Sequence, residues 1–224
     1  WDVTTGTGAV REIAKDNDAV SATVVESVKE AHEGTIKYVR QAVGTTTANI
    51  HSYFSQVQDD PSIQIVTNAQ SIYVKEKLKG TAYENLPVLS AGAPFKAGTR
   101  SDPEYYTFVP KGELAIKNVA DLYLYDNTLA MLKVTGADVK EWLEMSAGQF
   151  NQIDVAKADE QQLINEEYRS YNYDVIDGVT YEIDVTKPAK YDESGNVVNE
   201  QPSRIVNLQY NGKPIDQAQE FIEA

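Results

Sequence analysis

Between Asp18 and Arg40 the apolar residues Val25, Val28, Ile36 and Val39 recur at helical spacing, with Val20, Val24, Ala31 and Tyr38 beside them. A period near 3.6 predicts a long amphipathic helix. Gly34 lies inside it, where glycine costs about 1 kcal/mol relative to alanine, so a bend or break is expected there. The β-branched run from Gln41 to Ile50 predicts extended chain. A second helix opens at Asp60, an N-cap residue followed by proline, carries Ile63, Val66, Tyr73 and Leu78, and stops at Gly80. Pro87 to Ala91 predicts a short buried strand that runs into the loop Gly92 to Arg100.

From Leu114 to Tyr125 the pattern changes. Leu122 and Leu124 alternate with Tyr123 and Tyr125, which predicts a strand with the two tyrosines on one face. Leu132 and Val134 flank Lys133 in the next strand. Thr135 to Asp138 then forms a capping box for a helix that buries Val139, Trp142 and Leu143 and closes at Gly148. Asp177-Gly178, between β-rich runs, predicts a hairpin, and so does Asn211-Gly212. Strands and helices interleave without a βαβ rhythm or a repeat. The expected fold is therefore α+β, a mixed sheet with packed helices. Residues 1–41 read as a connector and inter-domain helix, residues 42–224 as one domain, and 156–165 and 187–201 as surface excursions.

Composition narrows the function. At 224 residues the chain can bury a sizeable core. A formal charge of −14, from 34 acidic against 20 basic residues, argues against polynucleotide or anionic-membrane partners, which need a positive face. No apolar run reaches the roughly 20 residues that span a bilayer, so no membrane insertion is expected. The absence of cysteine removes disulfides, thiolate metal sites and thiol nucleophiles. The two histidines, His32 and His51, form no DxH, GNH or GHxH pattern, and no GxSxG signature is present. Neighbouring acids such as Asp59-Asp60 and Glu166-Glu167 are what an acidic chain produces by chance. No catalytic residue, metal ligand or cofactor is assigned to this chain.

Two local groupings could bind a ligand. A nucleobase is held by an aromatic face together with an amide that reads its polar edge, and Tyr125 and Asn127, separated by Asp126, offer that combination. In the loop Phe95 to Arg100, Lys96 and Arg100 stand beside backbone amides that Gly92 and Gly98 would free, a local anion-binding concavity. A third block, Tyr171 to Tyr181, groups Tyr171, Tyr173 and Tyr181 with Asp174 and Asp177. Of these acids, Asp177 reads as a turn residue and Asp174 as structural.

The segments Asn118 to Asp154 (NVADLYLYDNTLAMLKVTGADVKEWLEMSAGQFNQID) and Tyr171 to Val185 (YNYDVIDGVTYEIDV) closely resemble the C-terminal domain of bacterial 5′-nucleotidase-type enzymes. VQDDPSIQIV and SAGQFNQID tilt the resemblance toward the 2′,3′-cyclic-nucleotide 2′-phosphodiesterase/3′-nucleotidase branch. It implies that Tyr125 stacks on the base and Asn127 bonds its edge. It also places Lys96 and Arg100 near phosphate or ribose, although Thr99 stands where the family's loop has a glycine. The Tyr171 to Tyr181 block would border the base pocket, with Tyr173 carried as a substrate contact. Hydrolysis would belong to a separate N-terminal metallophosphoesterase domain of the same polypeptide holding divalent metal ions. This chain alone would then be inactive, and the parent extracellular, cell-wall-associated or periplasmic. The alternatives are a 5′-nucleotidase or UDP-sugar hydrolase specificity domain, and a non-catalytic surface ligand-binding domain.

The resemblance further implies that the opposite aromatic face comes from sequence beyond YNGKPID (Tyr210 to Asp216) and the final Ala224, so the domain is expected to be truncated there. One stacking face at about 1–3 kcal/mol and one net hydrogen bond at about 0.5–1.5 kcal/mol together correspond to roughly millimolar affinity.

Overall fold

The computed structural model describes residues 4–10, 20–98, 102–201 and 203–224. In chain order the elements are α1 (Ala22–Val39), β1 (Ala42–Thr46), β2 (Ile50–His51), α2 (Pro61–Leu78), β3 (Val88–Gly92), β4 (Phe108–Val109), β5 (Gly112–Ala115), α3 (Ile116–Leu122), β6 (Leu132–Thr135), α4 (Gly136–Ser146), β7 (Val175–Asp177), β8 (Val179–Ile183), β9 (Ile205–Tyr210), β10 (Lys213–Pro214) and β11 (Glu220–Glu223). The expected α+β class and mixed sheet are present. A four-stranded sheet runs β6-β11-β3-β7, in which β11 lies parallel to β3 and antiparallel to β6. A three-stranded antiparallel sheet runs β10-β9-β8, and β1-β5 and β2-β4 form small ribbons. Among the described residues no helix is long and apolar enough to cross a membrane.

β11 organises the core because its side chains alternate between two hydrophobic clusters. Phe221 is sealed on one face with Leu89, Val139, Leu143 and Leu208, while Ile222 packs on the other with Val74 and Leu78 of α2. α4 covers the first face. Its start follows the expected capping box: Thr135 Oγ1 accepts from the Asp138 amide at 3.2 Å, and the Asp138 carboxylate accepts from the Thr135 amide at 2.8 Å. α2 covers the second, opened by Asp60, whose carboxylate accepts from the Ser62 amide at 2.9 Å.

Four expectations are corrected. Residues 116–122 form α3 rather than strand, because Ile116, Val119 and Leu122 also satisfy helical spacing and the Asn118 side-chain oxygen Oδ1 accepts from the Ala115 amide at 2.9 Å at the helix start. Asp177-Gly178 makes no hairpin: β7 pairs with β3 and β8 with β9, so the chain crosses between two sheets at Gly178. That glycine has φ of 98°, and a Cβ there would meet a Leu89 methyl at 2.7 Å. The predicted turn at Asn211-Gly212 does join β9 to β10, with φ of 51° and 73°. The α2 stripe is rotated from the expected one: Ile63, Thr67, Ser71, Val74 and Leu78 are buried, whereas Tyr73 is exposed. Small hydroxyl residues occupy the contact because β3 comes close, Gly92 lying where a Cβ would stand 2.8 Å from Thr67 Cγ2. Finally, α1 runs through Gly34 without a break, and none of its residues is buried.

Beneath α4 lies a polar knot. Glu144, 1% exposed, accepts from the amides of Arg204 and Ile205, both at 3.0 Å, and from the Ser203 hydroxyl. The Arg204 guanidinium, also 1% exposed, donates to the carbonyls of Lys187, Ala147 and Phe150 at 2.8, 2.7 and 2.6 Å. Removing one partner of such a buried charged network costs about 3–5 kcal/mol, because the survivors stay desolvated. Glu144→Ala is expected to lower unfolding free energy by about 3 kcal/mol in a urea titration, and a loss below about 1 kcal/mol would contradict this account.

Candidate ligand-binding cleft

A cleft of about 920 Å³ opens between α2, α3 and the end of the four-stranded sheet. Its walls are mostly apolar, including Ile65, Val66, Tyr73, Val119 and Leu122, so the α2 face that does not pack on the sheet borders the cleft instead. Phe95, Lys96, Tyr123 and Asn127 line one part, and Trp142, Tyr171, Asp174 and Glu223 another. Such an apolar concavity with a few convergent polar groups is the usual form of a small-molecule site.

The aromatic part is built on the Phe95 ring. Tyr123 and Tyr125 approach it edge to face, with ring centroids 5.5 and 5.4 Å away. Tyr125 does not itself line the cleft: it stands beside it against Phe95, 57% exposed, so its ring is open to solvent rather than consumed by the core. Asn127 is also exposed, and its side-chain amide donates to the Tyr123 hydroxyl at 3.0 Å, which leaves its carbonyl oxygen to accept from a ligand. Tyr123 therefore orients the amide as well as packing. Sequence carries no signal for this role of Phe95, because the local marks of the loop Phe95 to Arg100 are its cations and glycines, and the ring meets Tyr123 and Tyr125 only in the fold.

The neighbouring loop is tied down by hydrogen bonds to its carbonyls, and the Gly98 amide is occupied. Ser52 Oγ accepts from the Thr107 amide at 2.9 Å and donates to the Lys96 carbonyl, while Gln56 donates to the Ala97 carbonyl at 2.7 Å. The Gly98 amide donates to the Tyr105 carbonyl at 2.9 Å, so it is not free for an anion. Gly98 has φ of 67° against the Tyr106 ring, and Gly92 allows α2 to approach. The Lys96 ammonium is ion-paired with Asp121 and lies 4.7 Å from the centre of the Tyr105 ring. Its side chain is only 12% exposed, so its charge is directed inward to α3 rather than into open solvent. Arg100 lies outside the described residues.

Tyr173 stands apart from this cleft. It is 4% exposed, packs edge-on against Phe150 at 5.6 Å, and borders a second cavity of about 500 Å³ near Tyr181. Burial pushes its hydroxyl up to about 12. The tyrosine of that block that lines the cleft is Tyr171, half-exposed, with Arg169 donating to its hydroxyl at 2.6 Å. Asp174 accepts from the Trp142 indole at 2.8 Å, and burial raises its pKa. Glu223 is more perturbed: 2% exposed, it is pushed up to about 8 by burial, with Asp174 adding to the effect. An acid in the short run EFIEA gives no sequence signal of this kind, because its burial follows only from the position of β11.

Among the described residues no group of three or more His, Asp or Glu side chains is arranged to hold a metal ion. His32 is exposed on α1, and His51 stacks on Tyr53 at 4.7 Å.

The 5′-nucleotidase C-terminal domain family matches residues 42–224. The chain belongs to that family. It is 59% identical over 222 residues to the trifunctional nucleotide phosphoesterase protein YfkN of Bacillus subtilis, covering 99% of this chain and 15% of that protein. It is 49% identical over 230 residues to the 2′,3′-cyclic-nucleotide 2′-phosphodiesterase/3′-nucleotidase of Yersinia enterocolitica, covering 99% of this chain and 35% of that protein. The chain thus spans about a third or less of the length of these relatives. Among solved structures, a putative 5′-nucleotidase from Staphylococcus aureus superposes with a TM-score of 0.58 at 20% identity, over 97% of this chain and 35% of that one. A 5′-nucleotidase precursor from Thermus thermophilus gives 0.58 at 14% identity, over 90% of this chain and 32% of that one. These two share the fold.

The buried acid of this 5′-nucleotidase C-terminal domain has a thermodynamic signature. An acid whose folded pKa is raised contributes stability that is fully present below its ordinary value near 4.5 and is lost as pH rises toward about 8. Glu223→Gln removes the penalty for ionising. Its melting temperature is expected to exceed the wild-type value at pH 8.5, with the gap shrinking toward pH 5. A gap that is constant across that range would contradict burial of this carboxyl.

Proposed function

We propose that this chain is the nucleoside-recognising domain of a secreted 2′,3′-cyclic-nucleotide 2′-phosphodiesterase/3′-nucleotidase. A separate dimetal domain of the same polypeptide hydrolyses the phosphoester, and residues 1–41 connect the two. The observation that carries the reading is the open Tyr125 ring set against Phe95, with Asn127 oriented beside it by Tyr123. An exposed aromatic face held by its neighbours loses little freedom when a base stacks on it, and the adjacent amide supplies edge recognition. The names of the relatives, nucleotide phosphoesterases at 49–59% identity, agree with that chemistry.

Within this reading the named side chains divide the work. Tyr125 carries the stacking contact and Asn127 accepts from the base. Lys96 holds the loop against α3 through its ion pair with Asp121. Arg100 is the candidate for direct contact with phosphate or ribose. Metal ions supply the hydrolytic chemistry in the separate domain, and the parent acts extracellularly, in the cell wall or in the periplasm. Tyr173, packed against Phe150, has a structural part in this account.

A chemical-shift titration with adenosine and 3′-AMP tests the reading. Dissociation constants near 1 mM are expected, with the largest shifts at Phe95, Tyr125 and Asn127. Tyr125→Ala should weaken binding by about 5- to 100-fold, the worth of about 1–3 kcal/mol of stacking. Shifts confined to other surfaces, or an unchanged affinity in the variant, would overturn it. The chain alone should show no phosphodiesterase activity with added divalent metal; turnover in the presence of chelator would instead indicate a carboxylate-based hydrolase.

A further inference from the structure

The second cavity, of about 500 Å³, has no part in the nucleoside reading. It opens where the chain passes from the four-stranded sheet to the three-stranded one at Gly178, so β7 and β8 supply Ile176, Tyr181 and Ile183 to its wall. The segment before α2 adds Asp59 from the opposite side, and Ile63 is the one residue it shares with the larger cleft. Its volume lies within the range of about 300–1,000 Å³ common among small-molecule sites.

The lining states what kind of molecule would fit. Tyr173 is 4% exposed, and its ring stands 87° from that of Phe150, so the two form adjoining walls rather than a stack. Burial is the sole cause acting on the Tyr173 hydroxyl, with no hydrogen bond to offset it. A buried hydroxyl without a partner is costly, and folded proteins leave few of them. The Tyr181 hydroxyl lies within electrostatic reach of Tyr173 and of the Asp59 carboxylate. Asp59 is exposed and Asp177 half-buried at the same cavity, and no lysine or arginine lines it among the described residues.

We propose that this cavity is a second ligand site, which takes an organic ammonium ion carried on an apolar body. The proposal stands independently of the nucleoside reading. An ammonium N–H donates to Tyr173 Oη, giving that oxygen the partner the fold leaves out. Aromatic walls attract a cation through their negative ring faces, and the attraction grows when the cation is desolvated. Asp59 and Asp177 add to it, and the apolar body packs among Phe150, Ile176 and Ile183. An anion would instead meet two carboxylates with no base to offset them.

Chemical-shift titrations of the whole chain at pH 7 with phenethylammonium, 2-phenylethanol and phenylacetate test this, since the three share a ring and differ in charge. Salt at about 0.15 M keeps the general pull of a chain of charge −14 on any cation short-ranged. Phenethylammonium is expected to saturate with a dissociation constant on the order of 1 mM, which a ligand of this size can reach, and to shift Tyr173, Tyr181 and Ile183 most. The alcohol should bind about fivefold more weakly, the worth of a partly desolvated cation on aromatic rings, and phenylacetate more weakly still. Tyr173→Phe keeps the ring and loses the oxygen, and should weaken the ammonium about fivefold. Asp59→Asn should weaken the ammonium by a similar factor and leave the alcohol unchanged. Equal affinity for ammonium and alcohol, tighter binding of phenylacetate, shifts confined to other surfaces, or an ammonium affinity unchanged in both variants would each overturn the proposal. Should Tyr173→Phe fail to fold, Asp59→Asn, at an exposed position, decides alone. Adenosine binding to Tyr125 is read in a separate titration, so failure of either reading leaves the other to its own result.

Discussion

The placement of β11 between β3 and β6 is the constraint on which the rest of the molecule depends. A four-residue strand is held there by partners of both polarities, parallel on one side and antiparallel on the other. Its two apolar side chains, Phe221 and Ile222, reach opposite cores, so one short segment couples α4 to α2 through the sheet. The same placement carries Glu223 into a nearly sealed position beside Asp174. Folding of the domain and burial of that acid are thus one event, and the apolar packing around Phe221 and Ile222 offsets the cost of desolvating the carboxyl.

The cleft inherits its shape from that sheet. α2 must come close to β3, which selects Gly92, Thr67 and Ser71 at the contact and turns Val66 and Tyr73 toward the opening. The loop after β3 then brings Phe95 against Tyr123 and Tyr125, while Ser52, Gln56 and the Lys96–Asp121 pair fix its course. In a protein of charge −14, a lysine paired this way acts more by holding the loop than by attracting anions at long range, which salt would screen. The aromatic ledge is therefore held by polar contacts on one side and left open on the other.

Much of the fold was legible along the chain because local signals and tertiary packing agreed. Asp60-Pro61, the Thr135 capping box and Asn211-Gly212 each set a boundary that the structure keeps. The failures came where two periods fit the same residues or where a turn signal did not state its partner. Ile116 to Leu122 satisfies both helix and strand spacing, and the Asn118 cap decides for helix. Asp177-Gly178 turns the chain as expected, but β7 has β3 available and β8 has β9, so the two runs part. In the site, Tyr125 and Asn127 were legible as a pair, whereas Phe95 and Glu223 were not. The first is defined by a loop that returns to Tyr123, the second by a strand order that no local pattern encodes.

The central claim is that the ledge formed by Phe95, Tyr125 and Asn127 grips a nucleobase. A crystal structure of the chain soaked with 3′-AMP tests it most directly. The account predicts the base lying flat against the Tyr125 ring with its polar edge within hydrogen-bond distance of the Asn127 side chain. Ordered 3′-AMP bound elsewhere on the molecule, with the Tyr125 ring bare, would contradict it.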